Sequence, residues 1–361
     1  MICVGNELKN VIKVQFTILT NIDKFIFKAE PEVVLIKRGY ACEFSLCLTP
    51  LCTCKINTTI QIISKNLKTE EENYNTITIN AVTSQSTRLD YDELIEENKL
   101  GEGSFGIVYK GMYRENVVAI KKMKQINNSD EKKSIDEFEK EVAMLDKFRC
   151  DYIVHFYGAV FIPNKMCMVT EFAQFGSLQD LIKHKRSDEI ETKLRVKMLL
   201  DASKGISYLH ENGILHRDIK PDNILVLSLD VNEKVNAKLT DFGSARNVNL
   251  LMTNMTFTKG VGTPVYMAPE ILKQEKYTKS ADIFSFGVTM FEVVGWSEAY
   301  QKDRFKYPWK IAEFVMSGKR LERKEKMPIP LYDVIQTCWV QYPKERISIE
   351  KVIENLEELN H

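Results

Sequence analysis

The sequence lacks the features that would assign it to a membrane or to a secreted class. No apolar run approaches the roughly 18 residues that a membrane-spanning helix needs. The first ten residues, MICVGNELKN, have neither the basic start nor the long apolar stretch of a signal peptide. We therefore expect a cytoplasmic protein with no membrane span in this chain.

Net charge is missing as well. The 361 residues carry 50 basic and 50 acidic side chains, and the formal charge is +0. No overall field draws the chain to nucleic acid, so we expect no nucleic-acid partner. Internal repeats and low-complexity tracts are also absent, and 44% of the residues are hydrophobic, as in ordinary globular proteins. The length allows two or three domains.

The 8 cysteines do not follow a spacing typical of a zinc site. Four of them lie close together, with the spacing C-x4-C-x4-C-x-C: Cys42, Cys47, Cys52 and Cys54. A metal site there is the minor alternative, because known zinc patterns space their ligands differently. A reducing compartment would leave all the cysteines as thiols.

Up to about residue 90 the sequence alternates apolar and polar residues in short segments. The predicted strands lie at residues 11–20, 24–29, 41–48, 58–64 and 75–82. Strands at about ten-residue intervals are typical of an antiparallel sandwich. The string PEVVLIKRGYACEFSLCLTPLCTCKI is similar in pattern to immunoglobulin-like sandwiches related to major sperm protein. We expect a β-sandwich domain over residues 1–82 and a linker over residues 83–93.

A glycine-rich segment, GEGSFGIVYK, follows from Gly101 to Lys110. Glycines at G-x-G-x-x-G spacing either bend around a phosphate or form a flexible hairpin, and the motif alone does not decide between them. The sequence VAIK then ends at Lys121, on a predicted strand after a turn at Tyr113 to Glu115. A lysine there can reach phosphates held by the glycine segment, although a solvated surface lysine is the simpler interpretation.

Helical spacing of apolar residues predicts a helix from Ser134 to Phe148. Glu141 falls on or beside its buried face, where a carboxylate needs a partner, and Lys121 would supply one. Glu137 and Glu139 are the alternatives, and we expect both to be solvated. The next stretch, MVTEFAQFGSLQDLI, predicts a strand, a crossing and a helix, with a capping pair at Ser177 and Asp180.

Two polar clusters have the composition that phosphoryl transfer requires. HRDIKPDN places Asp218, Lys220 and Asn223 in a loop broken by proline, and LTDFGSA places Asp241 at the end of a strand. The reaction needs oxygen ligands for Mg²⁺, a group that orients the attacking hydroxyl, and cations against the phosphate charge. The two clusters together contain each of these.

Residues from about 94 to 358 resemble a eukaryotic protein kinase domain. GEGSFG, VAIK, HRDIKPDN, DFG and APE occur in the order that this family shows. The resemblance implies an α+β, bilobal protein kinase fold over residues 94–361. A small lobe of five strands and one helix would stand over a helical large lobe. A hinge near Glu171 to Phe175 would join them, with ATP between the lobes.

The resemblance also implies the cofactors ATP and Mg²⁺ and a set of site residues. Asp218 would take or orient the substrate proton, Lys220 would touch the transferred phosphate, and Lys121 would contact the nucleotide phosphates while paired with Glu141. The metal ligands would be Asn223 and Asp241. The ATP-binding residues would be Gly101, Glu102, Gly103, Ser104, Phe105, Gly106, Val108, Ala119, Lys121, Thr170, Glu171, Ala173 and Leu225.

Substrate class follows from the same resemblance. Lys220 and Thr263 are similar to the serine/threonine-specific form, whereas TEFAQFGSLQDL, ADIFSFGV and CWVQYPKERIS are similar to tyrosine kinases. This mixture resembles the tyrosine-kinase-like group of serine/threonine kinases, whose partners are protein substrates with Ser/Thr hydroxyls. Thr263 would select the substrate hydroxyl. Asp282 would brace the catalytic loop, and Arg346 would pair with Glu270.

One segment departs from the family pattern, and another contains candidate regulatory sites. LSLDVNEKVNAK lengthens the connection between Asp218 and Asp241, and we expect a surface hairpin there. Three threonines before APE are candidate phosphorylation sites: Thr253, Thr256 and Thr258. Arg217 would pair with a phosphate added to one of them and order the segment. The alternative is that these threonines are simply solvated.

Two other functions and two roles of the sandwich stay open at this point. A pseudokinase scaffold would lack the lysine or a metal ligand, and all of them are present. A small-molecule kinase would lack the APE segment and the helix after it. The sandwich would bind a docking partner, or it would be the membrane-near part of a receptor-like kinase whose intracellular part is this chain.

Overall fold

The computed structural model describes residues 1–18, 23–102, 106–123, 131–247 and 263–360. The side chains of residues 131–134 and 137 lie outside this description. The chain forms two compact units, one of Met1–Glu131 with Tyr157–Thr170 and one of Lys132–Phe156 with Glu171–His361. The helices of the described residues are all too short or too polar to cross a membrane.

The N-terminal part of the first unit contains two antiparallel sheets, in the strand orders β1-β5-β3 and β4-β2-β6-β7. The strands are β1 (Ile2–Gly5), β2 (Ile12–Ile18), β3 (Phe25–Glu30), β4 (Val33–Ile36), β5 (Ala41–Pro50), β6 (Lys55–Asn66) and β7 (Glu72–Val82). Apolar residues of both sheets share one core, in which the rings of Phe16 and Phe44 lie 4.8 Å apart. The predicted sandwich is therefore confirmed. Strands β1 and β4 were not predicted, because four residues leave too little alternation to recognise.

A five-stranded sheet follows, in the order β11-β12-β10-β9-β8. Its strands are β8 (Leu94–Glu102), β9 (Gly106–Tyr113), β10 (Asn116–Met123), β11 (Phe156–Val160) and β12 (Cys167–Glu171). A two-residue turn joins β9 to β10 where it was predicted, because Arg114 and Glu115 adopt positive φ angles of 44° and 72°. Val118 and Ile120 of β10 are fully buried in the core of this sheet.

Residues predicted as a linker belong to that core. Leu89 is 2% exposed and packs with the buried residues of the five-stranded sheet. Its N–H donates to the Ala159 carbonyl at 2.9 Å, and the Ala159 N–H donates to the Thr87 carbonyl at 2.8 Å. Residues 87–89 thus lie along β11. The domain boundaries proposed from the sequence stay a prediction.

The second unit is mainly helical. Its helices are α1 (Glu131–Leu145), α2 (Leu178–His184), α3 (Thr192–Glu211), α4 (Pro269–Leu272), α5 (Lys279–Gly295), α6 (Pro308–Met316), α7 (Ile329–Cys338) and α8 (Ile349–Asn360). Residues 281–294 of α5 are all buried, including the carboxylates of Asp282 and Glu292. Val352 and Leu356 of α8 are fully buried, and they lie four residues apart on one face of this helix.

Helix α1 ends at Leu145, three residues before the end that the apolar spacing predicts. Phe148 lies beyond the end of the helix, but it is itself a buried core residue and therefore continues the apolar spacing. Its ring lies 4.9 Å from the ring of Phe242. Two short antiparallel ribbons complete the unit: β13 (Ile214–Leu215) with β16 (Arg246–Asn247), and β14 (Ile224–Val226) with β15 (Ala237–Leu239). The predicted surface hairpin is confirmed, since residues 230–234 between β14 and β15 are exposed.

Candidate active site

The loop between β13 and β14 holds Asp218 in a network of hydrogen bonds. Lys220 Nζ donates to Asp218 Oδ2 at 2.7 Å, and Asn223 Nδ2 donates to the same oxygen at 3.1 Å. Thr263 donates to Asp218 Oδ1 from its N–H at 3.1 Å and from its hydroxyl at 3.0 Å. The network brings together four residues that the sequence predicted for the site, and it fixes the rotamer of the Asp218 carboxylate.

Asp282 anchors the start of this loop from α5. Its side chain is fully buried and accepts the N–H groups of His216 at 3.0 Å and Arg217 at 2.9 Å. The Tyr277 hydroxyl and His210 Nε2 also donate to it, at 2.8 and 2.9 Å. Burial alone would raise the pKa of Asp282, but the hydrogen bond and charge of His210 outweigh it and lower the pKa. The predicted bracing role of Asp282 is therefore confirmed.

The ribbon of β14 and β15 brings Asn223 and Asp241 to one end. Ile224 pairs with Leu239, and the Thr240 N–H donates to the Asn223 carbonyl at 3.0 Å. The Asn223 amide N–H₂ is committed to Asp218, so its oxygen is the atom that a cation would contact. An amide oxygen beside a carboxylate is a donor set that suits Mg²⁺. The two residues therefore fit the predicted metal site.

Glu141 of α1 lies beside the same end of the ribbon. A Cβ atom built on Gly243 would lie 3.5 Å from Asp241 Oδ1 and 3.6 Å from Glu141 Oε2, so the two carboxylates flank one position. Two converging carboxylates favour a cation between them. Glu139 is exposed, as predicted, and the side chain of Glu137 lies outside the described residues.

Phe242 and His216 pack rather than face a ligand. Phe242 is 2% exposed, and its ring lies 5.3 Å from the His216 ring. His216 Nε2 makes a 3.0 Å hydrogen bond with the Thr240 carbonyl. Both residues therefore have a packing role.

In the first unit, the predicted nucleotide residues lie on neighbouring strands. Val108 of β9 pairs with Gly101 of β8 and with Lys121 of β10. Gly106 begins β9 where a Cβ would come within 2.0 Å of the Lys122 carbonyl, so no side chain fits there. Gly103, Ser104 and Phe105 lie outside the described residues. The choice between a flexible hairpin and a phosphate-binding loop therefore stays a prediction.

Other predicted nucleotide residues lie at the end of β12, just after it, or within β14. Thr170 and Glu171 end β12, and the Glu171 carboxylate accepts Lys238 Nζ at 2.7 Å and the His155 N–H at 2.6 Å. The Ala173 N–H has no partner in the described part of the chain, which leaves a donor for a ligand. Leu225 of β14 bridges to Ser177, where Ser177 and Asp180 form the predicted capping box of α2.

Sequence reasoning missed the side chains that support these residues. His210 and Tyr277 hold Asp282, and Lys238 holds Glu171. His210 and Lys238 reach their partners only through tertiary packing, and Tyr277, although five residues before Asp282, stands in none of the motifs. By contrast, the predicted pair of Arg346 and Glu270 is confirmed as a bidentate ion pair with both N–O distances at 2.6 Å.

Arg217, next to Asp218, has a buried Nε atom with no hydrogen-bond partner among the described residues. Its backbone adopts a positive φ of 72°, and its guanidinium lies over the Tyr277 ring at 5.6 Å. Burial lowers the pKa of Arg217, and the nearby Arg246 cation adds to this effect. The candidate phosphorylation sites Thr253, Thr256 and Thr258 lie outside the described residues.

Comparisons with known proteins agree with this geometry. A family model described as protein tyrosine and serine/threonine kinase matches residues 94–356. The probable serine/threonine-protein kinase gdt2 of Dictyostelium discoideum is 31% identical over 357 residues, or 98% of this chain. From the same organism, the probable serine/threonine-protein kinase gdt9 is 33% identical over 83% of the chain. The dual specificity protein kinase shkB is 35% identical over 71% of it.

These relatives are much longer than this chain. The aligned part spans 21% of gdt2, 20% of gdt9 and 38% of shkB. The similarity to gdt2 nevertheless covers the N-terminal sandwich as well as residues 94–356, because it extends over 98% of the chain.

Proposed function

The chain belongs to the protein tyrosine and serine/threonine kinase family, and we propose that it transfers the γ-phosphoryl group of ATP to serine and threonine hydroxyls of protein substrates. The observation that carries this proposal is the network around Asp218. A carboxylate held by Lys220, Asn223 and Thr263 is fixed in position, and an attacking hydroxyl would replace one of these donors, such as the Thr263 hydroxyl, before giving its proton to Asp218. Names of relatives such as gdt2 and gdt9 agree with this substrate class.

Each site residue has a role in this proposal. Asp218 accepts the hydroxyl proton as the oxygen attacks the γ-phosphorus, the bond from this phosphorus to the bridging oxygen breaks, and ADP leaves. Lys220 contacts the transferred phosphate. Asn223 and Asp241 hold Mg²⁺, which neutralises phosphate charge when bound. Lys121, paired with Glu141, contacts the nucleotide phosphates. The other nucleotide contacts come from the ATP-binding residues predicted from the sequence, with the Ala173 N–H as a donor to the adenine ring.

In this proposal a substrate hydroxyl approaches the Asp218 carboxylate beside Thr263. Thr263, which already contacts both Asp218 and Lys220, would then set the distance at which a serine or threonine hydroxyl fits.

We further propose regulation by phosphorylation of Thr253, Thr256 or Thr258. The unpartnered Nε of Arg217 and the neighbouring Arg246 form a cationic position that a phosphate dianion would neutralise. Because Arg217 precedes Asp218, a phosphate bound there would hold the loop at 216–223 in place. Replacing the three threonines by alanine should lower activity, and a phosphorylated wild type that is no faster than its dephosphorylated form would contradict the idea.

We also propose that this part of the protein works in a reducing, cytoplasmic environment. The eight cysteines are all free thiols, and Cys52, Cys167 and Cys338 are buried. Oxidising compartments commonly pair such residues. A docking partner for the N-terminal sandwich remains part of the proposal, and no nucleic-acid partner is expected.

A phosphotransfer assay with residue identification tests the proposed function. The chain is incubated with Mg²⁺, γ-labelled ATP and a generic basic protein, and the labelled amino acids are determined. Label on serine and threonine is expected for wild type and for Asp222→Asn, an exposed neighbour in the same loop. If nucleotide binds but no label transfers, even after treatment with activating kinases, the chain is a pseudokinase scaffold and the proposal fails. Label confined to tyrosine would overturn the substrate class.

A further inference from the structure

The N-terminal sandwich has one sheet edge that differs from its other edges. Within the described residues, the edge strands are β1, β3, β4 and β7. Strands β1 and β4 are four residues long, and β3 carries Lys28 and Glu30. Short length and charged side chains are the usual ways in which proteins prevent an edge from pairing with another strand. Strand β7 is 11 residues long, and its one charged residue, Glu72, is its first.

Strand β7 is long, polar and exposed, and it carries a single charge at its first residue. It runs for 11 residues with the sequence ENYNTITINAV, and nine of these residues are exposed to solvent. After Glu72 it contains no charge, proline or glycine, and its centre is a run of alternating threonine and isoleucine. β-Branched residues favour extended backbone, and β6 occupies only one side of the strand. The N–H and C=O groups on the other side are therefore ready to pair.

We propose that β7 pairs antiparallel with β7 of a second copy of this chain and joins two sandwiches into a continuous sheet. Full overlap of the strand Glu72–Val82 places Ile77 on the two-fold axis. Thr76 of one copy then lies opposite Thr78 of the other, and Asn75 lies opposite Ile79. Threonine pairs and β-branched pairs are favourable neighbours across an antiparallel ladder. Residues that lie directly opposite each other point to the same face of the joined sheet. In this register the core-facing side chains of both copies therefore lie on one face, and the solvent-facing side chains lie on the other.

The distribution of charge along β7 and the net charge of the chain favour a second copy of this chain as the partner of β7. In a two-fold dimer, a charged residue near the axis lies close to the same residue of the other copy, and the two like charges repel each other. The centre of β7 carries no charge. The single charged residue, Glu72, lies at the end, opposite Val82 of the other copy, and is itself paired with Lys65 at 3.7 Å. The formal net charge of +0 removes general repulsion between copies. A charged peptide partner would find no complementary charge along this edge.

Sedimentation velocity over a wide range of protein concentration tests the proposal on the full chain. Wild type should shift from monomer to dimer as concentration rises. The variant Thr76→Lys/Thr78→Lys opposes lysine to lysine in two positions and should weaken the dimer by about tenfold or more. The matching variant Thr76→Glu/Thr78→Glu should behave in the same way alone, whereas an equal mixture of the two variants should dimerise again. Ser45→Lys, an exposed residue on the central strand β5, should leave the dimer unchanged.

Hydrogen exchange of wild type provides a reading that does not depend on how the variants fold. Outward-facing amides of β7 should be protected at high concentration and exposed at low concentration. A chain that stays monomeric throughout, a dimer that the lysine variant does not weaken, or protection confined to other strands would overturn the proposal. So would stronger pairing of β7 with an added threonine-rich extended peptide than with a second copy.

Discussion

The anchoring of the loop at residues 216–223 predicts the result of Asp282→Asn. Asp282 is fully buried, and each of its oxygens accepts two hydrogen bonds. Asparagine keeps one of these oxygens and replaces the other by N–H₂. The Tyr277 hydroxyl can turn to accept that N–H₂, so the amide nitrogen should take the position of Oδ1. The Arg217 N–H then faces a donor and loses its only acceptor on this side chain.

The expected loss of stability is about 3 kcal/mol. A hydrogen bond to a charged group contributes about 1.5–3 kcal/mol, and a buried unsatisfied donor costs about 1–3 kcal/mol. The pKa of Asp282 is lowered in the folded state, so its contribution is complete above the ordinary carboxyl pKa of about 4 and is lost only as pH falls through the folded value. Ionisation of Asp282 itself should therefore add no pH dependence between about pH 5 and 8.

Urea denaturation measures this loss, and a kinase assay measures its effect on the loop. Because Arg217 precedes Asp218, a small displacement should lower kcat by about 10–100-fold while the KM for ATP changes little. Asp151→Asn is the matched control, since Asp151 forms an exposed ion pair with Lys234 and should change neither stability nor kcat. If Asp282→Asn were as stable and as active as the control, the anchoring role would be refuted.

Three further substitutions test the packing and the buried charges. Glu270→Gln should destabilise the chain by about 3–5 kcal/mol in urea denaturation, because it leaves the buried Arg346 cation without its ion pair. Gly205→Ala should cost about 1–3 kcal/mol despite the better helix propensity of alanine, because its Cβ would lie 2.8 Å from the Tyr152 carbonyl oxygen. Burial raises the pKa of Glu292, so lowering the pH from neutral toward 5 should stabilise wild type relative to Glu292→Gln.

Each of these predictions has a result that contradicts it. A Glu270→Gln variant with an unchanged unfolding midpoint would show that Arg346 finds another partner. Gly5→Ala is the control for Gly205→Ala, because its Cβ would meet only Ala41 at an ordinary 3.8 Å, and equal effects of the two would remove the packing argument. A stability difference between wild type and Glu292→Gln that does not vary with pH would mean that Glu292 does not titrate as its burial implies.

The sequence predicted the residues of the candidate site, but it did not predict the side chains that hold those residues in position. Asp218, Asn223 and Asp241 were found because they stand at fixed intervals in short motifs, and a hairpin-like ribbon brings such motifs together. His210 was not found, because it reaches Asp282 through the packing of α3 and α5, which leaves no local pattern. Tyr277 lies five residues before Asp282, just ahead of α5, where no periodicity marks its contact. The spacing of residues in the sequence indicates which of them lie on the same element. Contacts between elements that are far apart in the sequence can be recognised only in the folded structure.

The N-terminal region shows the same division. The long strands β5, β6 and β7 were predicted from alternation, while β1 and β4 are too short to alternate. Leu89 was placed in a linker because its neighbours are polar, and a single apolar residue has no periodicity. Its burial depends on the groove beside β11, which the local sequence around Leu89 does not reveal.

The central claim is that Asp218 carries phosphoryl transfer in a chain that binds nucleotide independently of it. The most direct measurement compares kcat and ATP affinity of wild type, Asp218→Asn and Asp222→Asn under identical Mg²⁺ and ATP. We predict a loss in kcat of about 10²–10⁴-fold for Asp218→Asn, with ATP affinity retained and with Asp222→Asn close to wild type. Equal kcat in all three proteins would contradict the role of Asp218 and, with it, the proposed mechanism.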